Sequence, residues 1–348
     1  MSMMQMMLGA GGSGEETIED WFSTTHYTGD PTSGVTVTNG IDLTGGSTTP
    51  GLVMLKRKDS TSNFTAWDTV RGVRVGLVTN SDAAQSTADP GEGLTAFNSN
   101  GFDLGADHIG ENIDTGLYVS HTFRKAPNFF DIVSYTGNNP SNQTVPHGLE
   151  CLPGMIICKG NNTSSWWVWH KNMSSSPNTM RIEVNNYIVA VADTYIWNST
   201  APTTTNFSVG YSYPNQTSQS YTAYVFAADE DNIKCGHYQG AYSMNNPGPV
   251  INLGWEPQFV MIKKYELGDG RGEASYNGWF VFDDQRTGSS PVAHNKALIW
   301  NETAAEQTGA YVDFTSTGFT VDPNGQGWGA VNYSSTAKFI YMAIRKPD

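Results

Sequence analysis

The densest apolar runs along the chain are short, and three of them are near-copies: PGLVMLKR at 50–57, PGMIICKG at 153–160 and PQFVMIKK at 257–264. Their cores, such as LVML at 52–55 and FVMI at 259–262, are continuously apolar instead of alternating, which predicts strands covered on both faces. The aromatic run WFVF at 279–282 predicts another such strand. Helical patterning is nearly absent. A unit with two such strands is most simply a sandwich of two sheets, its outer face on one side covered by the next unit or by another subunit. Asn39-Gly40 and Asn277-Gly278 read as hairpin turns, because Asn-Gly readily takes positive φ.

The octets anchor a longer repeat. A Tyr-x-Gly stands upstream of each, at Tyr27, Tyr135 and Tyr238, with His26, Ser134 or His237 before it. Downstream come an aromatic run closing on a polar residue (Phe64 to Asp68, Trp166 to His170, Trp279 to Asp283), then Asn80, Asn198 or Asn301. A short strand then opens at Phe102, Phe207 or Phe319, and each unit ends on YVSHTFRK, YTAYVFAA or FIYMAIRK. Ordered landmarks with a period of roughly 100 residues predict tandem modules of small-domain size. The expected fold is all-β: three degenerate, jelly-roll-like β-sandwich modules at 21–126, 127–230 and 231–348, preceded by a Met-rich arm at 1–20.

Composition agrees with many short strands and tight turns. Charged residues make up only 15% of the chain, where about 25% is usual, and Gly, Asn, Ser and Thr are abundant. A net charge of −14 without a Lys/Arg cluster excludes a nucleic-acid footprint. No apolar run reaches the length of a membrane helix, so membrane insertion is not expected. The start, MSMMQMMLGAGGSGEE, lacks the basic region of a signal peptide, which implies synthesis and assembly in the cytoplasm. Cys151, Cys158 and Cys235 are odd in number and recur at no module position, so no disulfide framework is expected, and Cys158 reads as a small core residue.

No catalytic or cofactor motif is present, and no cofactor or metal is expected. The acidic run Asp229-Glu230-Asp231 offers clustered oxygens for calcium but reads better as a solvated junction. Asp68 and Arg71 are three apart, as are Asp283 and Arg286, while His170 and Met173 hold those places in the middle module; a turn-stabilising ion pair tolerates that loss better than an active-site pair would. The tryptophans read mainly as core and inter-module packing.

The landmark grammar resembles a family of repeat-containing structural proteins of marine tailed bacteriophages, whose members are tail fibre or virion proteins. The motifs are Tyr135-Thr-Gly-Asn138, Pro153-Gly-Met-Ile-Ile-x-Lys159, Trp166-x-Val-x-His170, Trp197-Asn-x-Thr-Ala-Pro-Thr203 and Thr122-Phe-Arg-Lys-Ala-Pro127, and the resemblance spans Trp21 to Lys346. It implies a protein of the virion surface, and the family has no well-defined catalytic residues to carry over. Two readings follow. One is a tail fibre or spike component whose loops contact a host-surface glycan or protein; the other is a decoration or adaptor protein bound only to other virion proteins. A homo-oligomer, for which a trimer is a natural form, suits either, and three modules in one chain also mimic a trimer. A depolymerase would want an acidic pair recurring in all three modules, and none does.

Receptor contacts are expected in the loops that differ between modules. The connection 265–278 is longer than its counterparts by about eight residues and offers Tyr265, Arg271 and Tyr276; the stretch 79–94 is a second candidate, and Trp328 in NGQGWGA is a candidate platform for a sugar ring. Met3, Met4, Met6, Met7 and Leu8 form an adaptable apolar arm expected to anchor the chain on a partner.

Overall fold

The computed structural model describes residues 16–139, 142–173, 179–183, 193–241, 248–266, 277–286, 294–321, 331–332 and 335–348. The expected anchor residues Met3, Met4, Met6, Met7 and Leu8, and the candidates Arg271, Tyr276 and Trp328, lie outside them. The fold is all-β, with only two four-residue helices, α1 (Ile18–Trp21) and α2 (Asp193–Ile196), among the described residues.

The first segment contributes β1 (Phe22–Thr28), β2 (Val35–Thr38), β3 (Gly51–Arg57), β4 (Phe64–Asp68), β5 (Val75–Val78), β6 (Ser86–Thr87), β7 (Leu94–Asn98), β8 (Gly101–Leu104) and β9 (Leu117–Arg124). The second has β10 (Phe130–Thr136), β11 (Gln143–Pro146), β12 (Pro153–Gly160), β13 (Trp166–His170), β14 (Met180–Arg181), β15 (Asn206–Val209) and β16 (Ser220–Ala227). The third has β17 (Asp229–Glu230), β18 (Ile233–Gln239), β19 (Val250–Asn252), β20 (Pro257–Glu266), β21 (Trp279–Asp283), β22 (His294–Ile299), β23 (Gln307–Thr315), β24 (Gly318–Val321) and β25 (Lys338–Arg345).

Strand order is the same at the heart of each segment: β1-β9-β3-β4, β10-β16-β12-β13 and β18-β25-β20-β21, all antiparallel. The register also agrees, with Met54 opposite His121, Ile157 opposite Tyr224 and Met261 opposite Met342. A smaller sheet backs the first two segments, β2-β8-β7 and β11-β15, whereas in the third β22 carries the large sheet on into β23-β24-β19.

The octet strands are buried on both faces, as their unbroken apolarity predicts. Val53 and Leu55 face a local core with Val37, Trp67 and Phe102, and Val260 and Ile262 face another with Ile251 and Phe319. The opposite faces, carrying Leu52 and Met54, Met155 and Ile157, and Phe259 and Met261, belong to one core that all three segments share. The covering on the far side of each large sheet is therefore the other segments of the same chain.

The recurring Tyr-x-Gly also has a physical basis. Tyr27 stacks on Tyr118, Tyr135 on Tyr221 and Tyr238 on Phe339, with ring centroids 4.8, 5.3 and 4.9 Å apart. Their hydroxyls donate to the carbonyls of Glu111, Pro214 and Val331. Each carbonyl precedes a buried asparagine, Asn112, Asn215 or Asn332, whose Oδ1 accepts the backbone N–H of Asp30, Asn138 or Ala241 at 2.8 Å. The glycines before Phe102 and Phe319 are set by close approach: a Cβ on Gly101 or Gly318 would lie 1.9 Å from the carbonyl oxygen of Val37 or Ile251.

The Asn-Gly pairs are not the hairpin turns expected. Gly40 does have φ of +87°, but it leads from β2 into β3, which sit in different sheets. Gly278 is held by packing, since a Cβ there would lie 2.4 Å from Ile299.

A shared core predicts cooperativity. Calorimetry should give one unfolding transition and not three, and Met54→Ala or Met261→Ala should each lower its stability by about 2–5 kcal/mol. Separate transitions for the segments would contradict the shared core.

Candidate functional site

Where the three large sheets meet they form three seams, and buried polar side chains from all three segments lie there. The first aromatic residue of each run reaches across to the preceding segment. Phe64 meets Trp300 edge-on at 5.8 Å, the Trp166 indole donates to the carbonyls of Val78 and Ser81, and the Trp279 indole donates to the carbonyl of Arg181. First meets third, second meets first and third meets second, so the ring of contacts closes within one chain.

The basic residue ending each octet core is the second element. Lys56, Lys159 and Lys263 pair directly with those same aromatic residues across the strands, and all three are fully buried. The Lys56 ammonium donates to the carbonyls of Ser62 at 2.5 Å, Thr303 at 3.0 Å and Glu302 at 3.3 Å. Lys159 donates to the carbonyls of Ala83 at 2.9 Å, Asn162 at 3.2 Å and Asp82 at 3.3 Å. Both therefore tie their own loop to the loop after the landmark asparagine of another segment. Lys263 donates to the carbonyl of Asn277 and lies 5.7 Å from the centre of the Trp279 ring. Burial pushes these ammonium groups down, to about 8 for Lys56 and Lys159 and about 7 for Lys263.

The third element is the polar end of each aromatic strand. Asp68 and Arg71 form a buried ion pair that meets the hydroxyl of Tyr224, which donates to Asp68 at 2.8 Å. Asp283 accepts from Arg286 at 2.7 Å and contacts His121 Nε2 at 2.9 Å, all three side chains buried. Burial alone would raise the Asp283 carboxyl, but Arg286 and His121 hold it well below the usual carboxylate range. Burial lowers His121, so the imidazole stays neutral, and because an ionised carboxylate only accepts, Nε2 carries the proton. In the middle segment His170, pushed down to about 3 by burial, contacts the Tyr341 carbonyl at 3.2 Å through Nε2. The ion pairs expected at 68/71 and 283/286 are present, and they stabilise seams as well as turns.

Two candidate receptor features are displaced by this geometry. Tyr265 lies in β20, is 7% exposed and belongs to the shared core, because the strand runs two residues beyond the octet. The stretch 79–94 is not a free loop. Thr79, Asp82, Ala83 and Gln85 bond across seams, Ser86–Thr87 forms an edge strand, and Ala88 and Leu94 are buried.

The acidic run at 229–231 begins with β17, which pairs with β18 in the third sheet. Among the described residues no group of three His, Cys, Asp or Glu side chains could hold a metal ion. Cys151, Cys158 and Cys235 are buried and form no disulfide, and Cys158 contacts the Tyr135 hydroxyl at 2.9 Å.

Residues 17–347 match a family described as Domain of unknown function (DUF7483). The chain belongs to the DUF7483 family. No curated protein and no solved structure matches it. The match covers the three segments and their seams together, so in this DUF7483 chain the matched unit is the whole ring.

The lysines make two expectations. Lys56→Met or Lys159→Met keeps the apolar stem but strips the seam loops of a shared donor, and should cost about 1–3 kcal/mol by denaturant unfolding. In the unfolded chain Lys263 titrates near its ordinary value of 10.5, and in the native chain near 7. Between about pH 7 and 9 the unfolded state therefore binds more protons, and stability rises with pH across that window. The slope should be shallower in Lys263→Met. Above pH 9 the thiols of Cys151 and Cys158, raised to about 12 in the native state, act in the opposite direction.

Proposed function

We propose that the chain is a structural protein of a bacteriophage virion surface, a tail fibre or spike component built as a rigid block from three copies of one module. The observation that carries this reading is the use made of recurring polar residues. The recurring lysines Lys56, Lys159 and Lys263, the recurring aspartates Asp68 and Asp283, and Asn112, Asn215 and Asn332 are buried at seams or turns, where they hold the block together. A protein that withstands mechanical load at a particle surface needs such closure, and the resemblance of its repeat motifs to virion proteins points the same way. Its partners on this reading are other virion proteins and a host-surface glycan or protein.

A second reading, head or tail decoration, is favoured by one feature. Three segments with the same strand order contact one another in a closed ring, so one chain presents three similar faces, a form that suits a threefold position on a lattice.

Immunogold labelling of purified particles with antibodies against the folded chain tests both. Label at the tail extremity supports the fibre reading, and label distributed over the head supports decoration. Particles free of the chain by labelling and by mass spectrometry would overturn the virion assignment altogether.

A further inference from the structure

The three segments differ in how they cover one equivalent aromatic residue. Trp67, Trp169 and Phe282 stand at the same register position, opposite Val53, Ile156 and Val260; Trp67 and Phe282 belong to local cores, and Trp169 packs at the margin of the large core. Trp67 is fully buried, with Gly93, just before β7, packed so closely that a Cβ there would lie 2.8 Å from the indole. Phe282 is fully buried in a core with Val312 of β23 and Phe319 of β24. Among the described residues of the middle segment the smaller sheet consists of β11 and β15, and Trp169 is only half-buried. It lines a groove of about 750 Å³ with Leu152, 53% exposed, and Pro202 as further apolar wall. Glu150, Glu230 and Lys171 bring charge to the same groove, and the Lys171 ammonium is anchored on the Ala228 carbonyl at 2.9 Å.

We propose that this groove is a binding site for a neutral saccharide. A pyranose offers an apolar face of C–H groups and a rim of hydroxyls that both donate and accept. A partly exposed indole flanked by carboxylates and an ammonium matches both parts, since the ring supplies rigid apolar area and the charged groups supply directional hydrogen bonds. The volume lies within the range of small-ligand clefts and holds a few sugar rings. Two carboxylates against one ammonium, in a chain of net charge −14, disfavour acidic sugars. The middle segment is also where apolar side chains reach solvent: Leu152, Tyr195, Tyr211 and Tyr213 are four of the seven exposed large hydrophobic residues among those described.

The proposal deepens the virion-surface reading and rests on it only for the biological source of the sugar. Binding is measured on the isolated full-length chain, so its failure leaves the particle assignment standing, and absence from the particle leaves the binding standing.

The probes are immobilised neutral gluco-, manno- and galacto-configured tetrasaccharides beside a sialylated tetrasaccharide. At least one neutral probe should be retained, and the sialylated probe at least tenfold more weakly. Trp169→Ala should reduce retention at least tenfold, with secondary structure and the unfolding midpoint close to those of the parent chain. Leu152→Arg, at a solvent-exposed rim position that the fold does not need, should reduce it likewise and decides the matter if Trp169→Ala does not fold. Failure to retain any neutral probe, preference for the sialylated one, or full retention by Leu152→Arg would overturn the site.

Discussion

The structure depends on the burial of two lysines, Lys56 and Lys159, that follow the first two octet cores. A lysine ammonium taken out of water is costly unless hydrogen-bond acceptors replace the lost solvent. Lys56 and Lys159 find them in backbone carbonyls from two segments at once, so neither ammonium is satisfied until the neighbouring segment is in place. Apolar burial makes the shared core favourable but does not fix how the sheets are rotated against one another. The carbonyl triads are directional, and they do.

The other seam contacts follow from that alignment. Once each lysine is docked, the aromatic residue opposite it lies against the preceding segment, and the polar end of the same strand faces the closing strand of the next. The side chains that fill this last position vary: an Asp–Arg pair with a tyrosine, a histidine with a carbonyl, and an Asp–Arg pair with a histidine. All satisfy the same requirement, that a buried polar side chain find a partner across the seam, so the position tolerates changes that a reactive site would not. The Asp283–His121 pair shows the distinction. Its distance would suit acid–base chemistry, yet both side chains are fully enclosed, and its partner Arg286 keeps the carboxylate ionised.

Rigidity of this kind frees the periphery. With the recurring lysines committed to the interior, the described residues of the segments differ in the second sheet that each builds. The first and third cover their equivalent aromatic residue, and the middle one leaves Trp169 beside a groove. A difference in covering, on a scaffold whose cores are alike, is enough to turn a packing residue into a surface feature.

The apolar pattern by itself determined that LVML, MIIC and FVMI are strands buried on both faces, that the chain is all-β, and that the far face of each sheet is covered by something. These follow because burial of a strand face is written locally, residue by residue. The identity of the covering, the other segments of the same chain, was decided only in three dimensions. So were the partners of the lysines, since Lys56 bonds carbonyls 246 and 247 residues away. The buried Asn112, Asn215 and Asn332 recur at one structural position, but in a chain rich in asparagine their spacing carried no signal, and only their hydrogen bonds single them out. Tyr265 looked like the start of a loop because a strand's end depends on its neighbour, and β25 pairs with β20 as far as Glu266. Side-chain exposure at Trp169 was equally out of reach, because it is set by what packs over the strand in three dimensions, and the same register position is buried at Trp67 and Phe282.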